Sequence, residues 1–127
     1  MQVDIITPEK IFFTKKNIPM VTIPAIEGQM GVLDDHLPII TFLKPGMIKI
    51  GEKENQYFFT TGGVVDFKSN FLSILCQEIY SLEDLSDKKI KELSDRAKKK
   101  TEKINSSDKD IFLSYTLLDE LKALQVK

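Results

Sequence analysis

Residues 57–77 read YFFTTGGVVDFKSNFLSILCQ, and this stretch determines the fold class. It contains three apolar runs, Tyr57–Thr61, Val64–Phe67 and Leu72–Gln77, with Gly62 and the turn-forming residues 68–70 between them. Aromatic and β-branched residues favour strands, whereas Gly, Ser and Asn favour turns, so the stretch predicts three consecutive β-strands. The residues expected in the core are Val64, Val65, Phe67, Leu72, Ile74 and Cys76.

The same succession of apolar runs and turn residues continues toward the N-terminus. Short apolar or alternating runs separated by turn signals recur roughly every 8–10 residues, which is typical of a β-sandwich or barrel. The predicted strands are Val3–Thr7, Ile11–Thr14, Met20–Ile23, Gly31–Leu33, Pro38–Phe42 and Met47–Ile50.

The composition changes near residue 82. All 6 glycines and all 5 prolines precede it, and none follows. Because both residues interrupt helices, the change predicts a β-rich domain over residues 1–83 and a helical domain over residues 84–127. The predicted fold is an N-terminal antiparallel β-sandwich followed by a C-terminal antiparallel hairpin of two helices.

Two helices are predicted in the C-terminal part. The first, Asp87–Ile104, has apolar residues at 90, 93, 97 and 104 and a plausible N-cap at Ser86. Residues 105–107 then interrupt the pattern. The second helix, Lys109–Leu124, has two adjacent apolar lines, which are Ile111, Tyr115 and Leu118, and Leu117, Leu121 and Leu124.

The composition excludes several kinds of site. Cys76 is the only cysteine and His36 the only histidine, so neither an internal disulfide nor a zinc site built from these residue types is expected. The net charge is −1 and Arg96 is the only arginine, which disfavours nucleic acid as a partner. No cofactor and no metal are expected. No run of 18 apolar residues predicts a membrane span, and the N-terminus does not resemble a secretory signal.

Asp34-Asp35-His36 is the triplet whose side chains are best suited to catalysis or cation binding. Two carboxylates beside an imidazole can serve acid–base catalysis or bind a cation, and an enzyme using them is one alternative. No recognisable nucleophile motif accompanies them, so an exposed turn in which His36 orients the backbone or a partner is favoured. A second alternative is a nucleic-acid-binding domain using the lysines of Lys88–Lys103, although Asp95 and Glu102 interleave with them.

Residues 27–46, EGQMGVLDDHLPIITFLKPG, resemble the signature of the epsilon subunit of F-type ATP synthases. That family reads approximately E-G-x-x-G-V-L-P-G-H-A-P-L-L-T-x-L-K-P-G. The segments VDIITPE at 3–9 and TGGVVD at 61–66 also resemble the family, and the resemblance covers the whole chain. The matching residues of the signature are Glu27, Gly28, Gly31, Val32, Leu33, His36, Pro38, Thr41, Leu43, Lys44, Pro45 and Gly46.

The resemblance implies a ten-stranded sandwich with a helical hairpin and no catalytic residues. It implies a rotor subunit that clamps the gamma subunit and rests on the c ring, coupling proton flow to ATP synthesis. The implied location is peripheral, on the cytoplasmic face of a bacterial inner membrane, with the chloroplast thylakoid as the alternative. Carried over by position, a loop at Glu27–Gly31 and the turn to His36 are expected to face the c ring, and the residues concerned are Glu27, Gly28, Gln29, Met30, Gly31 and His36. Gly28 and Gly31 are expected to provide close backbone approach and a positive φ in this loop.

Two departures from the family pattern change these expectations. Asp34-Asp35 replaces the family's Pro-Gly before the histidine, which makes the turn more acidic. Of the ATP-binding motif I/L-D-x-x-R-A, only Leu85 matches in residues 85–90, so ATP binding is not expected. In this family the C-terminal helix inhibits hydrolysis by contacting the alpha/beta head through basic residues. Residues 111–127 have no net charge here, which weakens that expectation.

Overall fold

The computed structural model describes residues 1–52, 56–102 and 108–125. The chain divides into two compact units, Met1–Ile79 and Tyr80–Lys127. Within the described residues, ten strands precede two helices. The strands are β1 (Gln2–Ile6), β2 (Ile11–Lys15), β3 (Met20–Ala25), β4 (Gly28–Leu33), β5 (Ile39–Leu43), β6 (Gly46–Ile50), β7 (Gln56–Thr60), β8 (Gly63–Lys68), β9 (Phe71–Cys76) and β10 (Ile79–Ser81).

The strands form one nearly closed sheet that folds on itself as a sandwich. Their order is β10-β7-β6-β3-β5-β8-β9-β1-β2, and β4 pairs with β3 to one side of this path. The prediction of an antiparallel sandwich is confirmed for most pairs and wrong for one, since β1 runs parallel to β9. No hairpin joins β1 to β9, because they lie at opposite ends of the sandwich sequence, so no turn fixes their relative direction.

Alternation along the strands fills the core. On β1 the inward residues are Val3 and Ile5, and their β9 partners Leu72 and Ile74 are also inaccessible to solvent. The core prediction for residues 64–76 is confirmed, except that Val64 is half-buried. The other large side chains buried in this core include Ile23, Ile48 and Ile50.

The tenth strand was not predicted from the apolar runs. Ile79–Ser81 has only three residues, which is too short for alternation to be recognisable. β10 lies beside β7 at one end of the sheet. The ten strands agree with the number that the family resemblance implies.

The second unit contains a 3₁₀ turn at Leu82–Asp84 and two helices, α1 (Asp87–Glu102) and α2 (Asp108–Gln125), which pack against each other. The predicted cap is confirmed, because the Lys89 N–H donates to Oγ of Ser86 at 3.2 Å. The Lys89 ammonium group also lies 5.2 Å from the centroid of the Tyr80 ring. No helix in the described ranges is long and apolar enough to cross a membrane.

The buried faces of the helices agree in part with the predicted apolar lines. Ile90, Leu93 and Ala97 are buried on α1, as are Leu118 and Leu121 on α2. Tyr115 was expected on a buried line and is 57% exposed, whereas Ser114 beside it is buried. The prediction placed the larger Tyr115 in the core, whereas the small neighbouring Ser114 occupies the buried position. Ile104, the break at 105–107, and the side chains of Ile111 and Leu124 lie outside the described residues.

Candidate partner-binding site

The predicted contact residues lie on the hairpin formed by β3 and β4 and on the turn that follows it. The register runs from Met20 opposite Leu33 to Ala25 opposite Gly28, so only residues 26 and 27 connect the strands. The prediction that Glu27–Gly31 forms a loop is wrong, because most of it is strand. Its glycines indicated a turn, but the pairing with β3 carries the strand through both of them.

One end of this hairpin is fixed against the end of β5 and the residue that follows it. The Ile26 N–H donates to the Phe42 carbonyl at 2.9 Å, and the Lys44 N–H donates to the Pro24 carbonyl at 3.0 Å. Glu27 at this end is exposed. The turn is therefore held by backbone hydrogen bonds and presents its polar side chain to solvent.

Gly28 and Gly31 differ in their conformational requirements. Gly28 has a φ of +138°, which residues with a Cβ rarely adopt, and no atom lies within 4 Å of the position of a Cβ. Gly31 lies inside β4 opposite Thr22, and its φ is not positive. The expectation that Gly31 needs a positive φ is therefore wrong. A Cβ at Gly31 would lie 2.9 Å from Cε of Met20, the movable end of a flexible side chain.

His36 lies in a tight turn beyond the other end of β4. Its N–H donates to the Leu33 carbonyl at 3.0 Å, and Asp35 has a φ of +62°. Nδ1 of His36 lies 2.7 Å from the Leu37 carbonyl oxygen, and its ring is perpendicular to the Phe67 ring with centroids 6.1 Å apart. The prediction of a turn at His36 is confirmed, and its half-buried imidazole is held by two contacts.

Asp34 is tied to two other parts of the sandwich. Its Oδ1 accepts a hydrogen bond from the α-amino group of Met1 at 2.7 Å, and its N–H donates to the Pro19 carbonyl at 2.9 Å. The amino group and the Asn70 side chain both donate to the carboxylate, and they hold the pKa of Asp34 below its ordinary value of 3.8. The Asp34 carboxylate therefore interacts with the Met1 amino group and Asn70, whereas the His36 ring contacts Leu37 and Phe67.

The structure separates the predicted contact residues into two groups. Glu27, Gly28 and Gln29 lie at one end of β4, and His36 lies beyond the other end, with Met30 and Gly31 between them. At about 3.3 Å per residue, the six residues of β4 place its ends roughly 17 Å apart. Within the described residues, β4 pairs with β3 alone, so its other edge faces outward. We call this edge, from Glu27 to His36, the β4 strip.

A second surface crosses the outer face of five strands. The pairings place Phe42 opposite Val64, Val64 opposite Leu75, Leu75 opposite Ile6, and Ile6 opposite Ile11. Phe42, Leu75 and Ile11 are 52%, 46% and 61% exposed. We call these five residues the apolar row. Contiguous apolar surface of this kind marks interaction sites.

The sequence contained a signal for the apolar row that the strand predictions did not use. Ile6, Phe42 and Leu75 each stand next to a buried apolar residue, where alternation calls for a polar one. An apolar residue on the outward phase of a half-buried strand indicates an outer face that is not simply solvated. The strands were predicted correctly, but these positions were not assigned a role.

The described residues carry two surfaces of different chemistry, the β4 strip and the apolar row. No group of three or more His, Cys, Asp or Glu side chains within the described ranges is arranged to hold a metal ion. A sandwich with a polar strip, an apolar row and an appended helical unit has the features of a binding subunit in a larger assembly.

Comparison with known proteins identifies the assembly. Residues 1–81 match the family model described as the ATP synthase delta/epsilon chain, beta-sandwich domain. The ATP synthase epsilon chain of Pelagibacter ubique is 39% identical over 124 residues, covering 97% of this chain and 95% of that one. The chain belongs to the delta/epsilon family of F-type ATP synthase subunits, which confirms the resemblance. It is a stalk subunit and not a catalytic one.

Two solved structures share the fold. A chain of the mitochondrial ATP synthase of Euglena gracilis has a TM-score of 0.72 at 18% identity, with 98% of this chain and 78% of that chain covered. A chain of the Tetrahymena thermophila mitochondrial ATP synthase, from its central stalk and c ring, has a TM-score of 0.65 at 18% identity, with 99% and 94% covered. These likenesses extend over the whole chain and confirm the sandwich followed by helices.

Proposed function

We propose that this subunit links the gamma subunit to the c ring and so couples proton flow to ATP synthesis without performing chemistry itself. The observation that carries the proposal is the presence of two chemically different surfaces, the β4 strip and the apolar row, on one sandwich. A linker between two partners needs two surfaces. Residues 1–83 are the linking domain in this proposal, and residues 84–127 are a regulatory arm.

The β4 strip is the proposed contact with the c ring. Because its ends lie roughly 17 Å apart, a partner that touches both Glu27 and His36 has to be broad, as a ring of subunits is. Glu27 and Gln29 are exposed and polar, which suits the rim of an interface. The proposed contact residues are Glu27, Gly28, Gln29, Met30, Gly31 and His36.

The apolar row is the proposed contact with gamma. Permanent interfaces between subunits are more apolar than transient ones, because their surfaces are not exposed to water during the working cycle. The row presents three substantially exposed apolar side chains, Phe42, Leu75 and Ile11, to such a partner. Covering them removes apolar surface from water, which favours a tight and lasting contact.

A second proposed role is inhibition of ATP hydrolysis by the helical unit through contact with the alpha/beta head. Phe112 and Tyr115 support it, because they are 51% and 57% exposed and lie three residues apart on α2, on neighbouring positions of one helix face. Their exposure favours an apolar contact over the basic one expected in this family. The ATP-binding motif is incomplete at residues 85–90, so the proposed arm acts without bound ATP.

The proposed location is the cytoplasmic face of a bacterial inner membrane, to which the subunit is attached through the rest of the synthase. The bacterial epsilon chain that matches over nearly the whole length supports this assignment. The chloroplast thylakoid remains the alternative.

The gamma contact is tested with a matched pair of lysine substitutions. Leu75→Lys places a charge in the apolar row, and Ser73→Lys places the same charge two residues away on the same face, between Asp4 and Asp66. We expect Leu75→Lys to weaken binding to purified gamma by at least about tenfold, and Ser73→Lys to bind like the wild type. Equal binding by both folded variants would remove the apolar row from the interface.

The c-ring contact is tested by adding bulk to the β4 strip. Glu27→Trp and the control Lys91→Trp on α1 both replace an exposed charged residue. After reconstitution into synthase depleted of this subunit, Glu27→Trp is expected to bind gamma normally but to lower proton pumping per ATP hydrolysed. Normal pumping by Glu27→Trp, with the subunit bound, would contradict the proposed contact.

A further inference from the structure

The turn between β8 and β9 approaches the turn that holds His36. Lys68 pairs with Phe71, so Ser69 and Asn70 form a two-residue connection, with φ angles of +53° and +58°. Positive φ at both central residues is the geometry of a type I′ turn, in which Asn and Gly are favoured. The backbone alone would therefore accept glycine at position 70.

The Asn70 side chain makes contacts that glycine could not make. Its Oδ1 accepts a hydrogen bond from the Asp35 N–H at 2.9 Å, across 35 residues of sequence. The Asn70 side chain also contributes to the lowered pKa of the Asp34 carboxyl. The backbone carbonyl of Asn70 accepts the Gln2 N–H at 3.1 Å, which fixes the turn itself to β1.

The hydrogen bond between Asn70 and Asp35 supports an uncommon backbone conformation next to His36. Asp35 has a φ of +62°, which is uncommon for a residue with a Cβ and needs support from its surroundings. The bond from Asn70 is made to the N–H of that residue, immediately before His36. Phe67, which contacts the His36 ring, lies at the end of β8, two residues before Ser69. The β8–β9 turn and the strand that leads into it therefore contact the His36 turn at several points.

We propose that Asn70 is a positioning residue whose side-chain oxygen holds the Asp35 N–H and so fixes the direction in which His36 faces the partner. We call this hydrogen bond the clamp. The clamp stands on the geometry of the isolated subunit. Its consequence for coupling rests on the proposed function of the β4 strip.

The turn offers a matched set of variants for the full-length chain. Asn70→Gly keeps the positive φ and removes the clamp. Ser69→Gly removes the neighbouring side chain from the same turn and keeps the clamp. Asn70→Asp keeps an oxygen that accepts the Asp35 N–H and replaces the amide nitrogen with a second carboxylate oxygen.

The clamp is measured by hydrogen exchange of the Asp35 and His36 amides, followed by NMR. We expect Asn70→Gly to exchange at least about tenfold faster than the wild type at Asp35, and Ser69→Gly to change the rate less than about twofold. Asn70→Asp is expected to protect the Asp35 amide more than Asn70→Gly does. Equal exchange in Asn70→Gly and Ser69→Gly would overturn the clamp.

Coupling is then measured with the same variants in reconstituted synthase. Lower proton pumping per ATP in Asn70→Gly, with Ser69→Gly unchanged, supports the positioning role of Asn70. Faster exchange in Asn70→Gly with unchanged pumping would support the clamp as a structural contact. It would overturn the role of the His36 turn in coupling. The two failures therefore have different signatures.

Discussion

Gly63 begins β8 so close to β9 that a Cβ on it would overlap the backbone carbonyl of Leu75. Gly63 pairs with Cys76 in the register, and Leu75 precedes Cys76 on the same strand. Since the obstructing atom belongs to a paired strand and not to a flexible side chain, the overlap can be relieved only by moving backbone.

Gly63→Ala is therefore expected to destabilise the protein by about 2–3 kcal/mol, the upper part of the range for overpacking. Gly31→Ala is the matched control, because its Cβ meets only the terminal methyl of Met20. Urea denaturation of both variants measures the free energy of unfolding. If Gly63→Ala lowers the free energy of unfolding no more than Gly31→Ala does, the β8–β9 backbone has room for a Cβ at position 63.

The glycine that shapes the end of the β4 strip is Gly28. Its φ of +138° makes Gly28→Val strained by about 1–3 kcal/mol, and the relief of that strain displaces Glu27. Gly28→Val is expected to lower proton pumping per ATP hydrolysed more than Gly31→Val does, because Gly31→Val adds bulk to the strip without straining the backbone. Gln29→Lys adds one positive charge at the rim and is expected to alter affinity by about 0–1 kcal/mol.

Pumping and hydrolysis are measured together in reconstituted synthase, with circular dichroism to confirm folding. Stronger uncoupling by Gly31→Val than by Gly28→Val would mean that the middle of the strip, and not its end, carries the contact.

The ion pair of Asp34 with the α-amino group of Met1 predicts a pH dependence of stability. The pKa of Asp34 is below its ordinary value of 3.8 in the folded protein, so the folded state binds its proton less readily than the unfolded state does. The contribution is therefore present above about pH 4, near the unfolded pKa of an Asp, and is lost as the pH falls through the lower folded pKa.

Asp34→Asn is expected to be less stable than the wild type at pH 7, and the difference in unfolding free energy is expected to shrink below pH 4. Asp66→Asn controls for the loss of one exposed carboxylate on β8. Denaturation between pH 7 and pH 2.5 gives the curves. A difference that grows on acidification would contradict the sign of the linkage.

Cys76 is expected to resist thiol reagents in the native state. It is buried on β9, and desolvation raises the pKa of its thiol above the ordinary value of 9.0, so little thiolate forms at neutral pH. Labelling with a disulfide reagent at pH 8 is expected to be at least about 100-fold slower than in urea, because it requires opening of the sheet. The double variant Cys76→Ser with Leu75→Cys moves the thiol to an exposed neighbouring position and is expected to react rapidly. Fast labelling of native Cys76 would contradict its burial.

The sequence predicted those features whose causes are local. Alternation placed Leu72 and Ile74 in the core because the two faces of a strand meet different environments. Ser86 was predicted as a cap because a helix start leaves N–H groups that a nearby hydroxyl can satisfy. These signals span a few residues and do not depend on the rest of the chain.

The features that were missed depend on distant residues. The bonds from Asp34 to Met1 and from Asp35 to Asn70 join positions 33 and 35 residues apart, and no local pattern encodes them. The parallel pairing of β1 with β9 is equally remote in sequence. Gln29 and Met30 were assigned to a loop for the same reason, since only their pairing with Pro24 and Ile23 shows that they belong to a strand.

The first unit is expected to fold without the helices. Its core cluster, which includes Val3, Phe67 and Leu72, consists entirely of residues before position 80. Deleting residues 84–127 also preserves β10 and the residues of both proposed contact surfaces. The truncated chain is therefore expected to unfold in one cooperative urea transition and to bind gamma within about threefold of the full-length affinity. Full-length subunit carrying Leu75→Lys serves as the weak-binding control in the same titration. A truncated chain that unfolds without cooperativity would show that the sandwich depends on the helices, and a folded one that fails to bind gamma would place part of that interface in residues 84–127.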